Sequence, residues 1–264
     1  MSISSDRLVP GRSRWRSRLG AAIMSLTVYP LLALWTLTGI ALFPFVFVLW
    51  KVVTRWSNGR IMRHFIWLYG RGWMVIVAPF IRFRHQGWEH LQTAQPRILV
   101  VNHLSFFDTY CMAMLPFSDV TFAVRTWPFR MILYGFFMRL GDYLDVESAD
   151  WNEVRARSET VLGSGGHLLF FPEGHRSRDG KLQRFYSGAF RLAVETGTPL
   201  VPLCITGTDT LLPPGRLWLA PSKVKLRALQ PIDPTSFRGP DGHRELARLV
   251  KRRMADNLQE MNSK

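Results

Sequence analysis

Two clusters of polar residues interrupt otherwise apolar sequence, and their spacing is the first clue to chemistry. Asn102-His103-Leu104-Ser105-Phe106-Phe107-Asp108 follows directly on the apolar run Ile98-Leu99-Val100-Val101. Ser105 is a candidate N-cap, with Asp108 at the third helical position, and that turn would bring the Asp108 carboxylate to the His103 ring. A carboxylate on one imidazole nitrogen fixes the tautomer and stabilises the imidazolium that forms when the other nitrogen takes a proton. His103 then reads as a general base with Asp108 as its partner. A substrate hydroxyl can be the attacking group, so no enzyme nucleophile is needed. Taken alone, a His-x₄-Asp pair equally describes a packed histidine and a helix cap.

The second cluster is Gly166-His167-Leu168-Leu169-Phe170-Phe171-Pro172-Glu173-Gly174, continuing to His175, Arg176 and Arg178. A strand here ends sharply at Pro172, which cannot donate to a ladder, and Gly174 allows backbone to approach a ligand closely. Arginines beside backbone amides suit an anion, because guanidinium meets phosphate with two parallel hydrogen bonds.

These clusters need elements to position them. Ile98–Val101, Val120–Val124, His167–Phe171, Leu200–Thr206 and Lys223–Leu229 read as strands. Asp150 and Glu153 have capping-box form, opening a helix to Gly163. Pro128 suits the first turn of a helix reaching Leu140, read as core packing. Ser187 is expected to cap a helix ending at Gly197, and a final helix runs from Arg244 to Met261. Strands alternating with helices predict an α/β domain over residues 81–264, a mixed, largely parallel sheet flanked by helices.

Ahead of it lies a helical membrane-anchoring region over 19–80. No charged residue occurs from Leu19 to Trp50, a run of about 32 residues, while arginines and a lysine crowd both flanks. A straight helix of that length is about 48 Å, against a hydrocarbon core of about 30 Å. Positive flanks belong on the cytoplasmic side. A re-entrant hairpin bending at Pro30, Gly39 or Pro44 satisfies both flanks better than one tilted span or a buried soluble helix. Ile61–Phe80 reads as an interfacial amphipathic helix. Residues 1–18 read as a basic, disordered tail.

The net charge of +15 suits anionic lipid, an acidic carrier protein or nucleic acid alike. With no nucleic-acid motif, and with so much charge bracketing the apolar run, an anionic membrane surface is the preferred partner. Cys111 and Cys204 form no Cys-x-x-Cys pair and read as buried free thiols, and no His-Glu-x-x-His spacing supports a metal.

Both clusters, in this order, resemble the lysophosphatidic acid acyltransferase branch of the glycerolipid acyltransferases. Asn102 to Asp108 matches its His-x₄-Asp block and Phe171 to Ser177 its Phe-Pro-Glu-Gly-Thr-Arg-Ser block. Val201-Pro202-Leu203-Cys204-Ile205-Thr206-Gly207 is similar to its late Val-Pro block. The resemblance covers roughly residues 85–230 and implies acyl transfer from acyl-CoA or acyl carrier protein to a lysolipid hydroxyl, without cofactor or metal, at the cytoplasmic face of the inner membrane. It makes His103 the base and Asp108 its partner. Glu173, Gly174 and Arg176 would hold the acceptor's glycerophosphate, and Pro202 would shape the site. Arg125 stands where relatives often have Lys and is a candidate for the tetrahedral oxyanion. Two positions depart. Val146 follows Asp145 where the family often has Arg, leaving Arg139 as a substitute. His175 replaces Thr and is a candidate headgroup contact. A different acceptor, such as a lyso-ornithine lipid, fits these departures, and a non-catalytic lipid-binding protein is the second reading.

Overall fold

Short strands, fully buried at the centre and half-buried toward β1 and β7, build one mixed seven-stranded sheet. The computed structural model describes residues 11–92, 95–213 and 215–263, with backbone alone for 11–17. The first ten residues of the expected basic tail lie outside the described residues. In chain order the elements are α1 (Gly11–Thr54), α2 (Asn58–Val77), β1 (Ile81–Gln86), β2 (Ile98–Val101), α3 (Asp108–Cys111) and β3 (Val120–Val124). There follow α4 (Thr126–Phe129), α5 (Ile132–Leu140), β4 (Leu144–Asp145), α6 (Trp151–Gly163) and β5 (His167–Phe170). The chain continues through α7 (Gly188–Thr196), β6 (Leu200–Thr206), α8 (Thr208–Leu211), β7 (Ser222–Ala228) and α9 (Gly242–Ser263). Spatial order is β1-β7-β6-β2-β5-β3-β4. Every pairing is parallel except β6 with β7.

The central strands are apolar on both sides and sort their residues by period two. Leu99 and Val101 of β2, Leu169 of β5 and Val201 and Leu203 of β6 face the core beneath α2 and α3. Ile98, Val100, Leu168, Phe170 and Cys204 face the core beneath α6, α7 and α9. This two-sided burial makes β2, β5 and β6 continuous hydrophobic runs, as parallel strands covered on both faces must be. Cys111 and Cys204 are both buried and unbridged. The edge strands escaped the sequence reading. β1 alternates Ile81 and Phe83 with Arg82 and Arg84, a half-buried pattern at the margin of an aromatic stretch, and β4 is only two residues long.

The anchoring region departs most from expectation. α1 is one helix that runs through Pro30 and Pro44, and it includes residues 11–18, which were expected to be disordered. At 1.5 Å per residue it is about 66 Å long. Its Arg18–Thr54 part is long and apolar enough to cross a membrane by length and composition. An apolar helix tolerates proline because neighbouring helices and side chains re-satisfy the freed backbone. The reversal waits for the first polar sequence. Arg55 takes φ 59°, the Thr54 hydroxyl accepts from the Trp56 N–H, and Ser57 caps α2 by accepting from Arg60 N–H. The hairpin is therefore α1 against α2, not a bend inside residues 19–50. Gly72 makes their close approach possible, since a Cβ there would overlap the Trp35 indole.

α2 is likewise no freestanding interfacial helix. Ile61, Met62, Trp73 and Val77 are fully or almost fully buried, and so is Arg63. The Arg63 guanidinium donates to Asp119 Oδ1 at 2.7 Å, and to the Gly141 carbonyl and Asp142 Oδ2 at 3.1 Å each. Three acceptors satisfy a buried cation that would otherwise be prohibitive. Its polar interruptions thus bind protein rather than headgroups. At the far end Met24 and Val28 of α1 join the same core as β1, β2, β6 and β7.

The expected helix from Pro128 to Leu140 is broken in two. Met131 is extended between α4 and α5, and Gly135 packs so tightly on the Phe129 carbonyl that a Cβ would overlap it. Ser187 is in helical conformation and makes no capping bond, so α7 begins without the expected side-chain cap, though Gly197 ends it in the left-handed region. Asp150 does cap α6, accepting from Glu153 N–H at 3.0 Å.

Candidate active site

β2 and β5 are neighbours, yet the chain leaves them toward opposite faces. After β2 it passes through α3 on one face to reach β3; after β5 it passes through α7 on the other face to reach β6. A crevice opens at the carboxyl ends of two strands whose connections diverge in this way, and it is the usual ligand site of open α/β sheets. His103 stands at the end of β2, and Pro172-Glu173-Gly174 at the end of β5.

The histidine is held by its backbone before its ring is considered. Its N–H donates to Glu173 Oε1 at 2.8 Å, and its carbonyl accepts from Ser177 N–H at 2.7 Å. On the other side Asn102 extends the β2–β6 ladder. Its side-chain amide donates to the Ile205 carbonyl at 2.9 Å and accepts from the Ile205 N–H at 2.8 Å. Asn102 thereby fixes the main chain directly before His103. Asn102→Ala orphans both Ile205 groups in the core, each worth about 1–3 kcal/mol. The expected outcome is a clear drop in thermal midpoint in detergent; an unchanged midpoint would show the bonds to be dispensable.

The ring then meets its carboxylate. His103 Nδ1 lies 2.7 Å from Asp108 Oδ2, and the same oxygen accepts from Leu104 N–H at 2.6 Å and Ser105 N–H at 2.8 Å. Asp108 is fully buried, and His103 keeps 18% of its side chain exposed. The carboxylate is thus sealed while the imidazole reaches the surface. Among the described residues His103 Nε2 has no hydrogen-bond partner. Phe171 packs on the ring at 4.4 Å between centroids. The cap runs the other way from expectation. Ser105 does not open the helix; Asp108 is its first residue and gathers the N–H groups of Leu104 and Ser105 with its own side chain. A single short acidic side chain can close that turn and hold the imidazole together.

Glu173 is placed differently from the phosphate contact that the resemblance implies. It is buried, with Oε1 on His103 N–H and Oε2 on Gln183 N–H at 2.8 Å. Burial raises its pKa, opposed by these two backbone bonds. A carboxylate with both oxygens taken braces the loop and offers nothing to an anion. Gly174 adopts φ 69°, and a Cβ there would press on the Tyr186 ring at 2.8 Å. His175 and Arg176 are exposed on the loop's outer side. Asp179 ties the loop to itself, accepting from the Ser177 hydroxyl, Lys181 N–H and the Gln183 amide. Gln183, Asp179 and Tyr186 were not singled out in the sequence; nothing in their spacing marks them.

Pro202 is buried in β6, opposite Val100 and two residues short of the strand position level with Asn102. Arg125, at the end of β3, is bound by the Glu147 carboxylate, which raises its pKa. Its guanidinium is occupied at the rim and does not contact His103 among the described bonds. Arg139 cannot stand in for the missing Arg at position 146, because it donates to the Phe129 carbonyl at 2.9 Å. Among the described residues no three His, Cys, Asp or Glu side chains converge as metal ligands would.

Comparison with known proteins agrees with this geometry. A family model described as Acyltransferase matches residues 82–206. The chloroplastic 1-acyl-sn-glycerol-3-phosphate acyltransferase BAT2 of Brassica napus is 33% identical over 161 residues, 59% of this chain and 46% of that protein. The 1-acyl-sn-glycerol-3-phosphate acyltransferase alpha of Mus musculus is 29% identical over 223 residues, 78% of this chain and 72% of its own length. The match thus spans under half of the plant relative. The crystal structure of the 1-acyl-sn-glycerophosphate acyltransferase PlsC from Thermotoga maritima shares the fold, with a TM-score of 0.74, covering 94% of this chain and 98% of that one at 22% identity. Residues 82–206, which carry both motif blocks, are thus similar to the Acyltransferase family model and to 1-acyl-sn-glycerol-3-phosphate acyltransferases.

Proposed function

We propose that the protein is a membrane-bound O-acyltransferase. It moves a fatty acyl group from acyl-CoA or acyl carrier protein to the free hydroxyl of a lysophospholipid of the 1-acyl-glycerol-3-phosphate type. The observation that carries this reading is the His103–Asp108 pair, with the acid buried and the base open at the switch point. Nε2 takes the proton of the acceptor hydroxyl while its oxygen attacks the thioester carbonyl. The tetrahedral intermediate collapses, the C–S bond breaks, and the imidazolium returns the proton to the departing thiolate. The products are an ester and a free thiol. Asp108 holds the Nδ1–H tautomer and stabilises the transient imidazolium.

Arg176, with His175 beside it, is the proposed contact for the acceptor phosphate, and Gly174 supplies the left-handed turn that presents them. Arg125 is a rim cation already held by Glu147, so its part is to steer an anion rather than to hold the oxyanion. Glu173 and Pro202 fix the loop and strand from which these groups project. The apolar face of α1 seats the crevice on the bilayer, on the cytoplasmic side to which its basic flanks assign it.

The test uses purified protein in vesicles containing lysophosphatidic acid, with acyl-CoA or acyl carrier protein as donor. Free thiol and phosphatidic acid are expected to form one for one, depending on both substrates. Thiol release that ignores the acceptor would reveal a thioesterase instead. Turnover only with lyso-ornithine lipid would keep the chemistry and move the headgroup assignment.

A further inference from the structure

α5 carries the sequence Ile-Leu-Tyr-Gly-Phe-Phe-Met-Arg-Leu, and only Gly135 of its nine residues is buried. The sequence suggested a core helix; the structure turns its side chains outward. Ile132 is 96% exposed, and Phe136, Met131, Leu133 and Tyr134 also stand open. Trp127 of α4 adds an indole at 58% exposure. The one charge on α5, Arg139, is exposed in its last turn, where it donates to the Phe129 carbonyl and lies over the Phe129 ring. Met131 to Met138 carry no charged residue. Water makes such a surface unfavourable, and contiguous exposed apolar area of this kind marks a contact with a partner or a membrane.

The element is fixed in place. Gly135 N–H donates to the Met131 carbonyl, and the two short helices lock through Phe129. It is also continuous with the anchor. Phe137 meets Phe43 of α1 edge-on at 5.3 Å, and Phe43 meets Phe65 of α2 at 5.1 Å. The neighbouring outward residues of α1, among them Phe45, Val48 and Leu49, are as exposed as those of α5. Arg130 and Arg125 border the patch beside Trp127. An apolar face edged by indole and guanidinium has the composition of a helix lying in the headgroup boundary.

We infer that α4 and α5 form a second membrane-dipping element, which enters the same leaflet as α1 and seats the catalytic domain directly on anionic lipid. This rests on the membrane reading of α1 above. It also links the bilayer to the site, because Tyr134 of α5 shares a hydroxyl–hydroxyl contact of 3.0 Å with Tyr110 of α3, the helix that starts at Asp108.

The test places an environment-sensitive fluorophore on single introduced cysteines of the full chain in vesicles with an anionic lipid fraction. Cys111 and Cys204 are buried and stay unlabelled. The positions are Ile132→Cys and Phe136→Cys on α5, Leu49→Cys on α1, and Ala156→Cys on exposed α6 of the opposite face. The expected result is blue-shifted emission, quenched by nitroxide-labelled acyl chains, at 132, 136 and 49, with water-like emission at 156. Lipid quenching at 49 with water-like emission at 132 and 136 overturns the inference and leaves the anchor intact. Water-like emission at all of them overturns both. Blue-shifted emission at 132 and 136 without quenching by labelled lipid overturns the inference too, since the face would then be covered by a second copy.

Discussion

His103→Ala should leave a folded, membrane-bound protein whose turnover at saturating acceptor falls by about 10²–10⁴, the range for removal of a general base. The ring makes no backbone support; the bonds that hold the turn belong to Asp108 and to the His103 main chain. Stability should therefore change little while the rate collapses. Asp108→Asn gives a graded companion. An asparagine oxygen can accept from the same three donors that Asp108 Oδ2 serves, so the turn persists. What is lost is the negative charge beside the imidazolium, and the buried position of Oδ1, which has no partner, would receive an amide. The expected rate lies well below that of the parent, with the acceptor KM little altered. A folded His103→Ala protein with the parental rate would remove the base assignment and with it the proposed mechanism.

The second large effect is expected at Glu173, for a reason that the motif alone does not disclose. Glu173→Ala leaves the buried N–H groups of His103 and Gln183 without acceptors, at about 1–3 kcal/mol each. It also frees the base's main chain from the loop after β5, and misplacement of a catalytic group by about 1 Å can cost about 10²-fold in rate. Both stability and turnover should fall. Glu173→Gln should fall between, because its carbonyl can serve one N–H while its amide confronts the other with a second donor. The carboxyl's pKa is raised by burial. Its ionisation therefore erodes wild-type stability as pH rises through the raised value, and this dependence should vanish in the Gln variant. A phosphate-binding role predicts something else: a higher acceptor KM with stability and pH response unchanged. Measuring thermal midpoints and both kinetic constants in one series separates the two.

The sequence was most informative where period and burial agree. Ile98–Val101 and Leu200–Thr206 are apolar throughout, and only strands covered on both faces use such runs. His103 and Asp108 are five residues apart with a turn between them, so their contact is local and could be anticipated. Glu173 is 70 residues from His103 and its partner is a backbone N–H. A main-chain donor leaves no trace in residue identity, so the block suggested a ligand contact where the fold uses a brace. Asn102 is hidden for the same reason, since it bonds the backbone of Ile205. The helix at Ile132–Leu140 shows a different limit. Its apolar composition is as compatible with a core as with a lipid-facing surface, and only its place outside α2 and α3 decides. The apolar run of α1 passes straight through Pro30 and Pro44, and the turn forms instead where the first hydroxyls and charges can cap it.

Met24 and Val28 belong to the same interior as the sheet, and Ser25 exchanges hydrogen bonds with the backbone of Leu219. α1 is therefore a structural plug for the sheet domain. Trimming it away to obtain a water-borne enzyme would pull side chains out of the domain's own interior and open a hole beside β1 and β7. A cut within α1 is therefore expected to loosen the sheet domain itself, not only to detach a helix from it.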